Sequence, residues 1–122
     1  GSVLGVDTKK IKPPPLHCDF RVRTLSTSVT TLPHCRLKAL SPAQKGFFVV
    51  LSDMCPLVSG ITTKDAALSF ELGMRALGLA LGNRIHLEPG AADDDESGGV
   101  LRVGGHLVIK RLTIKKNKRT NL

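Results

Sequence analysis

The four histidines and three cysteines are the residues in this chain best able to hold a metal or form a covalent bond. His17-Cys18 and His34-Cys35 form two matching dipeptides. If a hairpin turns near Ser26 and Thr27, Cys18 and Cys35 stand opposite each other and point inward. That geometry suits a zinc site or a cross-strand disulfide. The histidines alternate onto the other face, however, which spoils tetrahedral convergence, and neither a CxxC spacing nor an HExxH is present. Three unclustered cysteines without a secretory signal point instead to buried free thiols in a reducing compartment. No metal and no cofactor is expected.

Other catalytic signatures are missing. A cysteine nucleophile needs a basic partner and an orienting third group, and no local pattern supplies them. The chain has no GxSxG, no Walker-type loop and no GxGxxG after a strand. Asp93, Asp94, Asp95 and Glu96 form an acidic run without the alternating ligands of a calcium loop, so they read as a solvated loop. No catalytic residue is expected, and the chain reads as non-enzymatic, with no small-molecule substrate.

Charge is the informative feature. There are 18 Lys and Arg against 10 Asp and Glu, a net +8, and four of those acids sit in the single 93–96 run. The positive residues cluster in an N-terminal arm (Lys9, Lys10, Lys12), on one strand face (Arg21, Arg23, Arg36, Lys38) and toward the C-terminus (Lys110, Arg111, Lys115, Lys116, Lys118, Arg119). Such clusters attract a phosphate backbone or an anionic bilayer. With four Phe and neither Trp nor Tyr, contact with a nucleic acid should be electrostatic and sequence-tolerant. No apolar run reaches the roughly 20 residues that a membrane span needs.

These clusters need elements to carry them. Residues 1–15 read as a flexible basic arm stiffened by Pro13, Pro14 and Pro15, residues 16–115 as a single α+β domain, and residues 116–122 as a basic tail. Leu16, Cys18, Phe20 and Val22 alternate with polar neighbours as a half-buried strand does, and Cys35, Leu37 and Ala39 repeat the pattern. Ser41, Pro42 and Gln44 form a capping box, which predicts a helix over 42–55 despite the strand-forming Phe47 to Val50 run. Thr62 or Thr63, with Asp65 behind it, opens a second helix that ends at Gly82 and Asn83. Its apolar surface is wide enough to reach a partner through Phe70, Met74 and Leu77. Residues 84–88 read as a strand and 100–114 as a hairpin. The expected fold is α+β, with an antiparallel sheet of about five strands packed on two consecutive helices.

The arm Lys9-Lys10-Ile11-Lys12-Pro13-Pro14-Pro15, the helical pair 42–55 and 64–81, and the phrase Leu77-Gly78-Leu79-Ala80-Leu81-Gly82 together resemble the globular core of rhabdovirus matrix proteins. The resemblance covers most of the chain but departs from that family in its incomplete late motif and short length. It implies a non-enzymatic viral structural protein that forms homo-oligomers and attaches ribonucleoprotein to an anionic membrane face. On that reading Pro13, Pro14 and Pro15 with Phe70, Met74 and Leu77 mediate self-association. The expected location is the virion, the host cytoplasm and inner membrane face, or the nucleus. The competing expectation is a small, electrostatic, sequence-nonspecific RNA-binding protein.

Overall fold

The computed structural model describes residues 1–56, 59–82 and 98–112. Two parallel pairs of strands make up its β structure. Strand β1 (Val3–Asp7) pairs with β2 (Val22–Ser26), and β3 (Phe47–Ser52) pairs with β4 (Leu101–Ile109). Between the pairs lie a short helix α1 (His34–Ala39) and a 3-10 turn at Pro42–Gln44, and helix α2 (Thr62–Leu81) links β3 to β4. This overturns the expected antiparallel five-strand sheet on two helices. Parallel partners need a long crossover rather than a tight turn, and α2 is the crossover of the second pair.

Each local departure has a physical cause. The capping box at Ser41 does not cap. Ser41 Oγ accepts from the Gly46 N–H at 2.7 Å and donates to the Lys38 carbonyl, while Ala43 and Gln44 lie at φ 53° and 57°. Two consecutive left-handed residues stop helical propagation. The aromatic and β-branched Phe47 to Val50 run then extends as β3, as its propensity favours. Cys35, Leu37 and Ala39 alternate, yet they belong to helix α1, which starts after Pro33, buries Leu37 and carries Arg36 and Lys38 in its last turn. Five alternating residues cannot distinguish one helical turn and a half from a strand. The Leu16 to Phe20 stretch stays outside any strand, with Leu16 and Phe20 91% and 88% exposed. Within the expected N-terminal arm, Val3–Asp7 form strand β1.

Residues 100–112 form one strand and its exit, in place of a hairpin. The register steps from Phe47 opposite Leu101 to Val49 opposite His106, so Phe48 faces a bulge spanning residues 102–105. Gly104 takes φ 78° there, and a Cβ on Gly105 would lie 2.5 Å from the Phe48 carbonyl. The Arg102 guanidinium rests 4.2 Å from the Phe48 ring centroid, closing the bulge by a cation–π contact.

One small core holds both pairs. Leu32, Leu37, Leu79 and Val100 are buried together, and Leu4, Val6, Leu25, Val29, Phe47 and Val50 pack around them from three of the four strands and the 26–33 turn. Helix α2 meets this core through its small residues. Ser69, Ala76, Leu79 and Ala80 are buried, and a Cβ on Gly73 would sit 3.4 Å from Ile109. Within the helix's wide apolar surface, Ala76 and Leu79 face inward, and Phe70 and Met74 lie about half exposed. Arg75, one turn beyond Glu71, uses its guanidinium to donate to the carbonyls of Val29 and Leu32, both at 2.7 Å. On the same side His34 Nε2–H donates to the Gly78 carbonyl at 2.9 Å. These three bonds fasten the loop before α1 to the helix. The opposite face of the β3–β4 pair, with Val49, Leu51 and Val108, is exposed.

Candidate functional site

Two adjacent parallel strands end side by side, so the side chains that follow their carboxyl ends are neighbours. The second pair presents a charged pair at that position. Ser52 and Ile109 close the β3–β4 register, and the Lys110 N–H extends it by donating to the Ser52 carbonyl at 2.9 Å. The next side chains along the two strands are Asp53 and Lys110. Their Oδ1 and Nζ lie 3.5 Å apart, and each side chain is 77% exposed.

An ion pair this exposed contributes about 0–1 kcal/mol to stability. Both groups keep most of their hydrogen-bonding capacity for a ligand. Around them Met54, Cys55, Arg111 and Leu112 complete a shallow, largely apolar cleft of about 100 Å³. Two cations against one carboxylate make this edge favour an anion. A ligand that also offers a hydroxyl can donate it to Asp53.

The edge is braced from α2 and from the loop that leaves β3. The Arg111 guanidinium lies 5.5 Å from the Phe70 ring centroid, and the Leu112 N–H donates to Ser69 Oγ at 2.8 Å. At the other end of that loop, Asp65 in the first turn of α2 accepts from the Ser59 N–H at 3.0 Å and from its hydroxyl at 2.7 Å. These bonds, the backbone one foremost, hold the Asp65 carboxyl below the usual carboxylate range. A charge there also complements the positive end of the helix dipole.

The structure distributes the residues expected to bind polyanions. Lys9, Lys10 and Lys12 are exposed along the crossover from β1 to β2. Arg21 forms a fork with Asp19, its Nη2 2.8 Å from Oδ2, and this keeps the Asp19 carboxyl low in pKa and the guanidinium high. Arg23 donates to the Leu40 carbonyl. Arg36 and Lys38 lie on α1, so the four do not share one strand face. Lys110 and Arg111 come together at the β4 exit, whereas Lys115, Lys116, Lys118 and Arg119 lie outside the described residues. The predicted strand over 84–88 and the acidic run 93–96 lie outside them too. Pro14 and Pro15 are exposed and Pro13 is half-buried, in the same crossover. Leu77, with Pro13, is half-buried rather than exposed.

Cys18 is half-buried, Cys35 and Cys55 are exposed, and all three are free thiols. The inward-facing Cys18–Cys35 pair therefore does not form, because the hairpin that would carry it is absent. Among the described residues no group of three His, Cys, Asp or Glu side chains converges to hold a metal. No described helix is long and apolar enough to cross a membrane.

Asp53 is the residue that reading along the sequence overlooks. Its signal is paired: an apolar run ending in Ser52-Asp53 and another ending in Ile109-Lys110, separated by a long helix. That is the pattern of a β-α-β unit with charges just past both carboxyl ends. No known family model matches the chain, and no curated protein shows significant similarity to it.

Proposed function

We propose that this chain is an RNA-binding α+β protein that seats a ribose–phosphate unit against Asp53 and Lys110. The supporting observation is the Lys110 Nζ to Asp53 Oδ1 distance of 3.5 Å at the carboxyl ends of adjacent parallel strands. A ribose–phosphate offers both groups that this pair can take. A phosphate oxygen accepts from the Lys110 ammonium, and a ribose hydroxyl donates to the Asp53 carboxylate. The 2′-hydroxyl is the group that lets a protein tell RNA from DNA. Arg111 and the exposed Lys9, Lys10 and Lys12 add the sequence-blind electrostatic attraction that a +8 chain supplies.

The matrix-type reading drew on the Lys9–Pro15 arm, a helical pair with the 77–82 apolar phrase and an antiparallel sheet, and the two parallel pairs do not supply that sheet.

The test is fluorescence anisotropy with a short single-stranded RNA and the DNA of the same sequence, at two salt concentrations. RNA should bind more tightly than DNA, and Asp53→Asn should reduce that preference about fivefold, the loss of one charged hydrogen bond at an exposed site. Equal affinities for RNA and DNA, indifferent to Asp53→Asn, would overturn the reading. Sedimentation with anionic vesicles but no RNA binding would favour the lipid-surface alternative.

A further inference from the structure

Lys110 lies beyond the last residue of β4, where a strand end would ordinarily fray. Two hydrogen bonds on either side of its side chain hold it. Its own N–H donates to the Ser52 carbonyl at 2.9 Å, and two residues on, the Leu112 N–H donates to Ser69 Oγ at 2.8 Å. Ser69 is 1% exposed and is one of the two largest fully buried side chains among the described residues. A buried hydroxyl on a helix that otherwise packs through Ala, Gly and Leu costs desolvation unless it is hydrogen-bonded. Here its bond reaches out of the helix to the strand exit that carries Lys110 and Arg111. Phe70, the next residue of α2, meets the Arg111 guanidinium, so consecutive helix positions hold consecutive residues of that exit.

We propose that Ser69 is a positioning residue for Lys110: its hydroxyl fixes the 110–112 backbone so that the ammonium faces Asp53 and the ligand phosphate. This rests on the ribose–phosphate reading of the site. The readout is the slope of log Kd against log salt for single-stranded RNA, which falls by about 0.7 when one phosphate contact is lost.

Lys110→Ala should lower the slope by that amount. Ser69→Ala should lower it similarly, Ser69→Thr should restore it, and Ser69→Ala added to Lys110→Ala should change nothing further. A Ser69 that serves only the core would lower the melting temperature and leave the slope of the folded protein intact, and that result would overturn the proposal. If Ser69→Ala does not fold, Leu112→Pro removes the same bond from the exposed strand exit and should reproduce the slope change. An unchanged slope in Leu112→Pro would equally overturn it. The two failures are separable. If Lys110→Ala and Asp53→Asn leave RNA binding untouched, the site reading itself falls. If they weaken it and the Ser69 and Leu112 variants do not, only the positioning role falls.

Discussion

The two parallel pairs use their charged ends differently. At the carboxyl end of β1, Asp7 is spent locally: its carboxylate accepts from the Lys9 N–H at 3.1 Å and from the Thr8 hydroxyl at 3.3 Å, which lowers its pKa. At the entrance to β2, Asp19 and Arg21 neutralise each other two residues apart. Those carboxylates shape turns. In the second pair, Asp53 and Lys110 come from opposite ends of the β3–α2–β4 unit and meet only because the strands run parallel and in register. The first pattern is what a chain does to finish a loop. The second brings charges together at an edge that both leave largely exposed, and that is why the proposed site is placed there.

The pairs differ in support as well. A two-stranded sheet is marginal by itself, and what stabilises both is the common cluster around Leu32 and Leu79. Leu32→Ala should therefore weaken both pairs at once, costing about 3 kcal/mol in a denaturant titration and giving a single transition. Separate transitions for the two pairs would break the view that they share one core.

Gly105→Ala should act on the second pair alone. Its Cβ would meet the Phe48 carbonyl, and the strain of moving either backbone is about 2 kcal/mol. Amide exchange should accelerate through β3 and β4, while the residues of β1 and β2 keep their protection relative to the new global stability.

A smaller effect should separate the turn carboxylates from Asp65. Asp65 is held below its ordinary pKa, so its bonds to Ser59 contribute stability that is complete above the unfolded-state pKa near 4. That stability is lost as pH falls through the depressed folded value. Asp65→Asn should flatten the acid limb of the stability profile. Asp19→Asn should leave the profile nearly unchanged, since its partner Arg21 is 60% exposed and solvent screens the pair.

Helix α2 was legible in the sequence because every cue agreed: Thr62 and Asp65 at its start, a long apolar periodicity, and Gly82 at its end with φ 53°. Strand β3 was not, because two local signals conflicted. The capping box favoured a helix, the Phe47 to Val50 run favoured a strand, and the deciding fact was the Ser41 hydroxyl turning to Gly46. The parallel pairing of β1 and β2 left no local trace either, since they meet across a loop without a tight turn. Of the candidate site, the charge of Lys110 and Arg111 was visible as a basic cluster. Asp53 was hidden because its significance lies in a neighbour far along the chain.

The central claim, that Asp53 and Lys110 act as one seat for RNA, is tested most directly by a double-mutant cycle. RNA affinity is measured for the unaltered chain, Asp53→Asn, Lys110→Ala and the double variant at a single salt concentration. A shared seat predicts that the double variant binds no more weakly than the worse single one, a coupling of about 1 kcal/mol. Additive losses, or no loss in either single variant, would contradict it.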